Sequence, residues 1–246
     1  MIESPATQKT LSSEALAAFY HDQFVQDQVR DFLDLIGPAD SPSNVVADVG
    51  GGCGYFARAL QHESAWQVRV LDMDVGSIEA CKENGVAAKQ TDALKPEITG
   101  DEAIASFNLI LHHLVGHTTA QTREMQIAAL RAWAAQAERL FVNEYIYESY
   151  AESRISAYLI WLITSSKALS FIAGTVARLV PSLRANTFGT GVRFRAADEW
   201  VRLFRQAGYD VVARHRGRDE GVSLARRMLL IKSCRRDSFL LCATRP

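Results

Sequence analysis

The run Val45-Val46-Ala47-Asp48-Val49-Gly50-Gly51-Gly52-Cys53-Gly54 carries the densest chemistry-bearing spacing in this chain. Glycines that follow an apolar strand and precede a helix can adopt positive φ and let a ligand approach bare backbone. Asp48, two residues before the first of them, adds a carboxylate that attracts an ammonium group and repels a pyrophosphate. Acids follow the next two apolar runs as well: Asp72 with Met73, then Asp92 with Ala93. After a fourth run stand His112, His113 and, a little further on, His117; a fifth ends in Glu144, Tyr145 and Tyr147. Histidine titrates near neutrality and can take a proton from a phenol or similar hydroxyl, while a carboxylate across the site orients the ring and stabilises the imidazolium. His113 with Glu144 is the preferred couple. His112 is the alternative, because successive strand residues face opposite ways.

Regular elements must position these residues. Ser12 and Ser13 cap a helix in which Leu16, Phe19, Tyr20, Phe24, Val29, Phe32, Leu33 and Ile36 recur at helical spacing, and Gly37-Pro38 stops it, so residues 1–37 form a helical leader. Strands are expected over 44–49, 67–71, 86–90, 107–111, 139–145, 209–215 and 238–243. Helices are expected over 55–62, 77–84, 118–138 and 196–206. This alternation predicts an α/β fold with a parallel sheet covered on both faces, whose ligands bind at the carboxyl ends of the strands.

Asp48-x-Gly50-x-Gly52-x-Gly54 resembles the first motif of the class I S-adenosylmethionine (SAM) dependent methyltransferases. Asp72 stands where that family holds the ribose hydroxyls, and Asp92 where it often receives the adenine amino group. Phe107-Asn108-Leu109-Ile110-Leu111-His112-His113 is similar to its fourth-strand motif, with Asn108 in place of the more usual Asp. The chain also reads Ala134-Ala135-Gln136-Ala137-Glu138 where the family commonly has Pro-Gly-Gly. The resemblance implies a single Rossmann-like domain over 1–246, with a seven-stranded, mostly parallel sheet. It implies SAM as cofactor, S-adenosylhomocysteine as product, and a cofactor site of Asp48, Gly50, Gly51, Gly52, Gly54, Asp72, Met73, Asp92, Ala93 and His112. A His after strand four and a Glu ending strand five are similar to small-molecule O-methyltransferases of the plant caffeate type, whose His-Asp-Trp surroundings of the base are absent here. The implied reaction is methylation of an O or N atom on a small, largely apolar or aromatic metabolite.

Competing readings explain less. Gly52-x-Gly54-x-x-Ala57, with Asp72 twenty residues beyond Gly52, also satisfies a dinucleotide fingerprint, but an NAD-linked oxidoreductase leaves Asp48 and Asp92 unexplained and the chain has no Tyr-x-x-x-Lys pair. A binding protein of the same fold without turnover is a third class. Metal ligation by His112, His113 and His117 lacks a fourth ligand, so no metal is expected. An Asn/Asp-Pro-Pro-aromatic element for methylating nucleic-acid bases is missing. From Arg193 onward thirteen Lys and Arg face six Asp and Glu, yet the whole chain balances 27 against 28, and the interleaved acids favour solvated surface over a nucleic-acid face.

Between residues 147 and 186 lies a strongly apolar insertion. Ile155 to Ala177 carries Lys167 as its sole charge, but Lys167, Ser170 and Gly174 interrupt it, which favours two short helices capping a pocket over a membrane span. Tyr20, Tyr145, Tyr147, Tyr158 and Trp161 are expected to touch the acceptor, and the insertion is a possible homodimer surface. Four cysteines without a C-x-x-C pair and an N-terminus without a basic-then-apolar pattern point to a reduced, cytoplasmic setting.

Overall fold

The computed structural model describes residues 22–39, 43–151, 153–165 and 191–244. Helix α1 spans Asp22–Ile36, and the chain then alternates β1 (Val45–Val49), α2 (Tyr55–Glu63), β2 (Gln67–Asp72), α3 (Val75–Glu83), β3 (Ala87–Gln90) and β4 (Glu102–Asn108). A 3-10 turn at Leu111–His113 leads to α4 (Thr119–Arg131), β5 (Arg139–Ser149) and α5 (Ser153–Ser165). The last described elements are α6 (Ala197–Gln206), β6 (Tyr209–Arg216), α7 (Leu224–Met228) and β7 (Ile231–Ala243). The strands form one seven-stranded sheet in the order β3-β2-β1-β4-β5-β7-β6. Pairing is parallel from β3 through β5, and β7 runs antiparallel to both its neighbours.

Strand residues of opposite parity feed two apolar layers. Val46, Ile104 and Phe141 face α1, α2 and α3, where fully buried Phe32 meets Phe56, Trp66 and Phe141 edge-on with ring centroids 5.9, 5.9 and 5.1 Å away. Ala47, Val49, Phe107 and Val142 face α4 and α6 and pack with Leu130, Trp133, Trp200 and Phe204. Burial on both faces is why these strands read as continuous apolar runs. Capping sets the helix starts: Thr118 and Gln121 form a reciprocal box before α4, and Asp74 accepts from the Ser77 N–H at α3.

Four sequence-based boundaries are corrected. The fourth strand was expected over 107–111 but ends at Asn108, because Leu109 takes φ +57° and turns the chain out of the sheet. The expected 118–138 helix stops at Arg131 and continues as turns, with Trp133 fully buried, so tertiary burial overrides the helix propensity of its alanines. The fifth strand runs on to Ser149, and β7 begins at Ile231 instead of 238; the two long strands pair over this extra length. Two further expectations, the leader before residue 22 (with Tyr20) and the insertion beyond Ser165, lie outside the described residues. No described helix is long and apolar enough to cross a membrane.

Part of the charge of the basic C-terminal third is compensated internally. Asp237, fully buried, pairs with Arg214 and Arg235; Arg235 also reaches Glu148, and Arg236 reaches Glu220.

Candidate active site

The glycine turn leaves β1 with Gly50, Gly52 and Gly54 at φ +68°, +54° and +77°. Its amides are partly committed: Gly50 donates to the Leu71 carbonyl at 2.7 Å and Gly52 to Asp72 Oδ2 at 2.9 Å. At Gly51 the constraint is space, since a Cβ there would collide with Asp48 Oδ2. Asp48 is fully buried. Asn108 Nδ2 donates to its Oδ1 at 3.1 Å, while Oδ2 has no hydrogen-bond partner among the described residues. Burial pushes the Asp48 carboxyl up to about 7, the Asn108 hydrogen bond opposes the rise, and Asp72 adds to it. A buried carboxylate with one bare oxygen is a cation acceptor in waiting.

Asp72 ends β2 and braces the turn. Its Oδ1 accepts from the Asp74 N–H at 2.9 Å, complementing the Gly52 contact, and burial holds its pKa above the usual carboxylate value despite these bonds. Met73 lies beside it, half-buried, with its carbonyl accepting from Gln90 Nε2 at 3.2 Å. Asp92, after β3, accepts from the Leu94 N–H at 2.8 Å and shapes a short turn over buried Ala93.

Glu144 and His112 meet across β4 and β5. Glu144, fully buried, sets Oε2 2.7 Å from His112 Nδ1, and its Oε1 accepts from the backbone N–H of Leu111 at 2.7 Å and of His112 at 3.3 Å. A carboxylate acceptor at Nδ1 fixes the proton there and leaves Nε2 as the accepting nitrogen. The expected His113–Glu144 couple is therefore corrected to His112–Glu144. The reason is the 3-10 turn, which replaces strand alternation and turns His112 inward. The His113 ring lies 4.2 Å from that of His112, and burial, then proximity to His112, holds its imidazole well below the usual pKa. His117 is exposed. Among the described residues no group of three or more His, Cys, Asp or Glu is arranged to hold a metal.

Aromatic rings cluster around His112. Phe194 stacks on His112 at 5.0 Å and on Tyr147 at 4.3 Å, and Tyr145 stands edge-on to His112 at 5.8 Å. Burial pushes the Tyr145 phenol up to about 12 and the Tyr147 phenol higher still, so both stay neutral. Tyr158 and Trp161 on α5 lie 5.7 Å apart, Tyr158 half-exposed and Trp161 with a buried Nε1 that lacks a partner among the described residues. Sequence reasoning missed Phe194, and noted Asn108 without giving it a role. No spacing signal marks Phe194, which reaches the site across 82 residues of chain from His112.

Three solved structures share this architecture. Magnesium protoporphyrin IX methyltransferase (ChlM) from Synechocystis PCC 6803 with bound SAH superposes at TM-score 0.54 with 12% identity, covering 90% of this chain and 82% of that one. Geranyl diphosphate methyltransferase in complex with SAM gives 0.55 at 12% identity, with 89% and 85% covered. Mitomycin 7-O-methyltransferase MmcR gives 0.53 at 13% identity, with 89% of this chain but 54% of that chain covered. This is the class I methyltransferase fold. No protein-family model matches the chain, and no curated protein sequence matches it significantly. Against several solved structures of the methyltransferase fold, MmcR among them, the chain spans little more than half their length. Within this fold the glycine turn follows β1, Asp72 ends β2, Asp92 follows β3, and the His112 turn follows β4.

Proposed function

We propose that the protein is a SAM-dependent methyltransferase acting on an O or N atom of a small, largely apolar or aromatic metabolite. The observation that carries this is Asp48: a fully buried carboxylate, bare at Oδ2, against a glycine turn with no room for a side chain at Gly51. That oxygen suits the ammonium of an amino-acid moiety and is ill suited to a pyrophosphate. Asp72 would offer its remaining lone pairs to the ribose diol, Asp92 would receive the adenine amino group, and Met73 and Ala93 would flank the base. When bound, SAM supplies an electrophilic methyl group for in-line displacement.

The chain's own task is then to align and activate the acceptor. His112 Nε2 takes the proton from an acceptor hydroxyl as it becomes nucleophilic, and Glu144 keeps Nδ1–H in place and offsets the imidazolium charge. Tyr145, Tyr147 and Phe194 hold a planar acceptor and exclude water, which favours close approach of the reacting atoms. In the same reading the chain is a single domain, and Tyr158 and Trp161 of α5 contact the acceptor.

Calorimetric titration with SAM and, separately, NAD tests the cofactor, and product S-adenosylhomocysteine released over a panel of hydroxylated and amino aromatics tests the reaction. SAM binding with turnover is expected. Tight NAD binding without SAM binding overturns the reading.

A further inference from the structure

The 3-10 turn that carries His112 is gripped from two sides. On one side Glu144 accepts the Leu111 and His112 N–H groups. On the other, fully buried Gln126 of α4 donates Nε2 to the Leu111 carbonyl at 2.9 Å, and its Oε1 accepts from Arg195 Nε at 3.1 Å and Nη2 at 2.7 Å. Arg195 is itself buried, lies 5.6 Å over the Trp200 ring, and has no carboxylate at ion-pair distance among the described residues. Its backbone is fixed too: the Arg195 carbonyl accepts from the Tyr147 N–H at 3.1 Å, and the Arg193 N–H donates to the His112 carbonyl at 2.9 Å.

Donor and acceptor types make this chain directional. A guanidinium only donates, so Gln126 must turn Oε1 toward Arg195 and its NH2 toward Leu111. That NH2 selects the orientation of the Leu111 carbonyl. The His112 N–H, which shares a peptide unit with that carbonyl and points the opposite way, is thereby aimed at Glu144 Oε1. A buried arginine held by an amide in place of a carboxylate carries a desolvation cost that its hydrogen bonds offset only in part.

We propose that Gln126 and Arg195 are positioning residues for the His112–Glu144 pair, holding the Leu111 peptide so that His112 keeps its Nδ1–H on Glu144 and presents Nε2 as the base. The base role of His112 rests on the methyl-transfer reading; the tautomer does not. The test therefore uses unliganded protein labelled with 15N-histidine, and reads the His112 ring nitrogens in long-range 1H–15N correlation spectra. Wild type is expected to show one tautomer, protonated at Nδ1. Arg195→Met and Gln126→Leu are expected to lose that pattern to averaged nitrogen signals while the amide spectrum of the sheet persists, and Arg195→Lys to restore it in part. A merely structural role would lower thermal stability and leave the tautomer alone. Should Arg195→Met not fold, Gln126→Glu decides, since it keeps an acceptor for Arg195 but has no donor for Leu111. An unchanged His112 pattern in the folded variants overturns the inference, as does the lack of a single tautomer in wild type. If SAM binds and is turned over, the same variants should lower kcat roughly a hundredfold with little change in acceptor KM. Failure of turnover in wild type would count against the transferase reading and leave the tautomer result standing.

Discussion

Asn108 donates its amide to one oxygen of Asp48 at 3.1 Å and leaves the other bare beside Gly51. The pair ties the end of β4 to the end of β1. It satisfies half of a buried carboxylate and reserves the other half.

Asp48→Asn should therefore stabilise the unliganded protein and weaken SAM binding. The native carboxyl titrates near 7 against an ordinary 3.8, so the folded state holds the proton that the unfolded state releases. Stability is lost as pH rises from about 4 to 7, and the full deficit, on the order of a few kcal/mol, is present above 7. Thermal melts of both proteins at pH 5 and pH 8 should show the variant's advantage growing at the higher pH. Calorimetry should show SAM affinity of wild type rising across the same interval, because the cation partner needs Asp48 ionised. A variant that melts like wild type at pH 8 would contradict the bare-oxygen assignment.

Asn108→Asp sets a second carboxylate against Asp48. Loss of the donated hydrogen bond and like-charge repulsion should cost about 1–3 kcal/mol at pH 8 and less at pH 5, where one proton can be shared. Urea unfolding at the two pH values measures the difference.

His112→Ala and Glu144→Gln should each lower kcat by about 10²–10⁴ for a hydroxyl acceptor, because the first removes the accepting Nε2 and the second presents a donor that disfavours the Nδ1–H tautomer. His113→Ala should cost less than about tenfold, since the Glu144 carboxylate is hydrogen-bonded to the His112 ring and not to that of His113. Steady-state kinetics on one acceptor rank the three. Equal losses at His112 and His113 would refute the assigned base.

Phe32→Ala removes the ring that locks α1 to Phe56, Trp66 and Phe141. A loss of about 3–5 kcal/mol in chemical denaturation is expected, as for a fully buried aromatic whose cavity cannot collapse. A loss below about 1 kcal/mol would mean that α1 is not part of the cooperative core.

Much of this arrangement was legible along the chain. Asp48 with the glycines, Asp72 and Asp92 mark the ends of three successive strands, and local rules suffice there: positive φ demands glycine, strand ends follow apolar runs, and caps mark helix starts. The alternation of elements likewise implied the sheet and its two covered faces.

The His112–Glu144 pair was not legible in the same way. Whether Glu144 meets His112 or His113 depends on Leu109 adopting φ +57° and on the 3-10 turn that follows, a departure that apolar periodicity conceals. Phe194, Gln126 and Arg195 come from distant segments and carry no spacing signal toward the histidines. Sequence by itself determined which backbone can turn and which strand ends bear acids, because those are properties of neighbouring residues. Tertiary structure alone decided which imidazole the buried carboxylate holds, because that depends on hydrogen bonds between strands, a helix and a loop that meet only when the sheet is assembled.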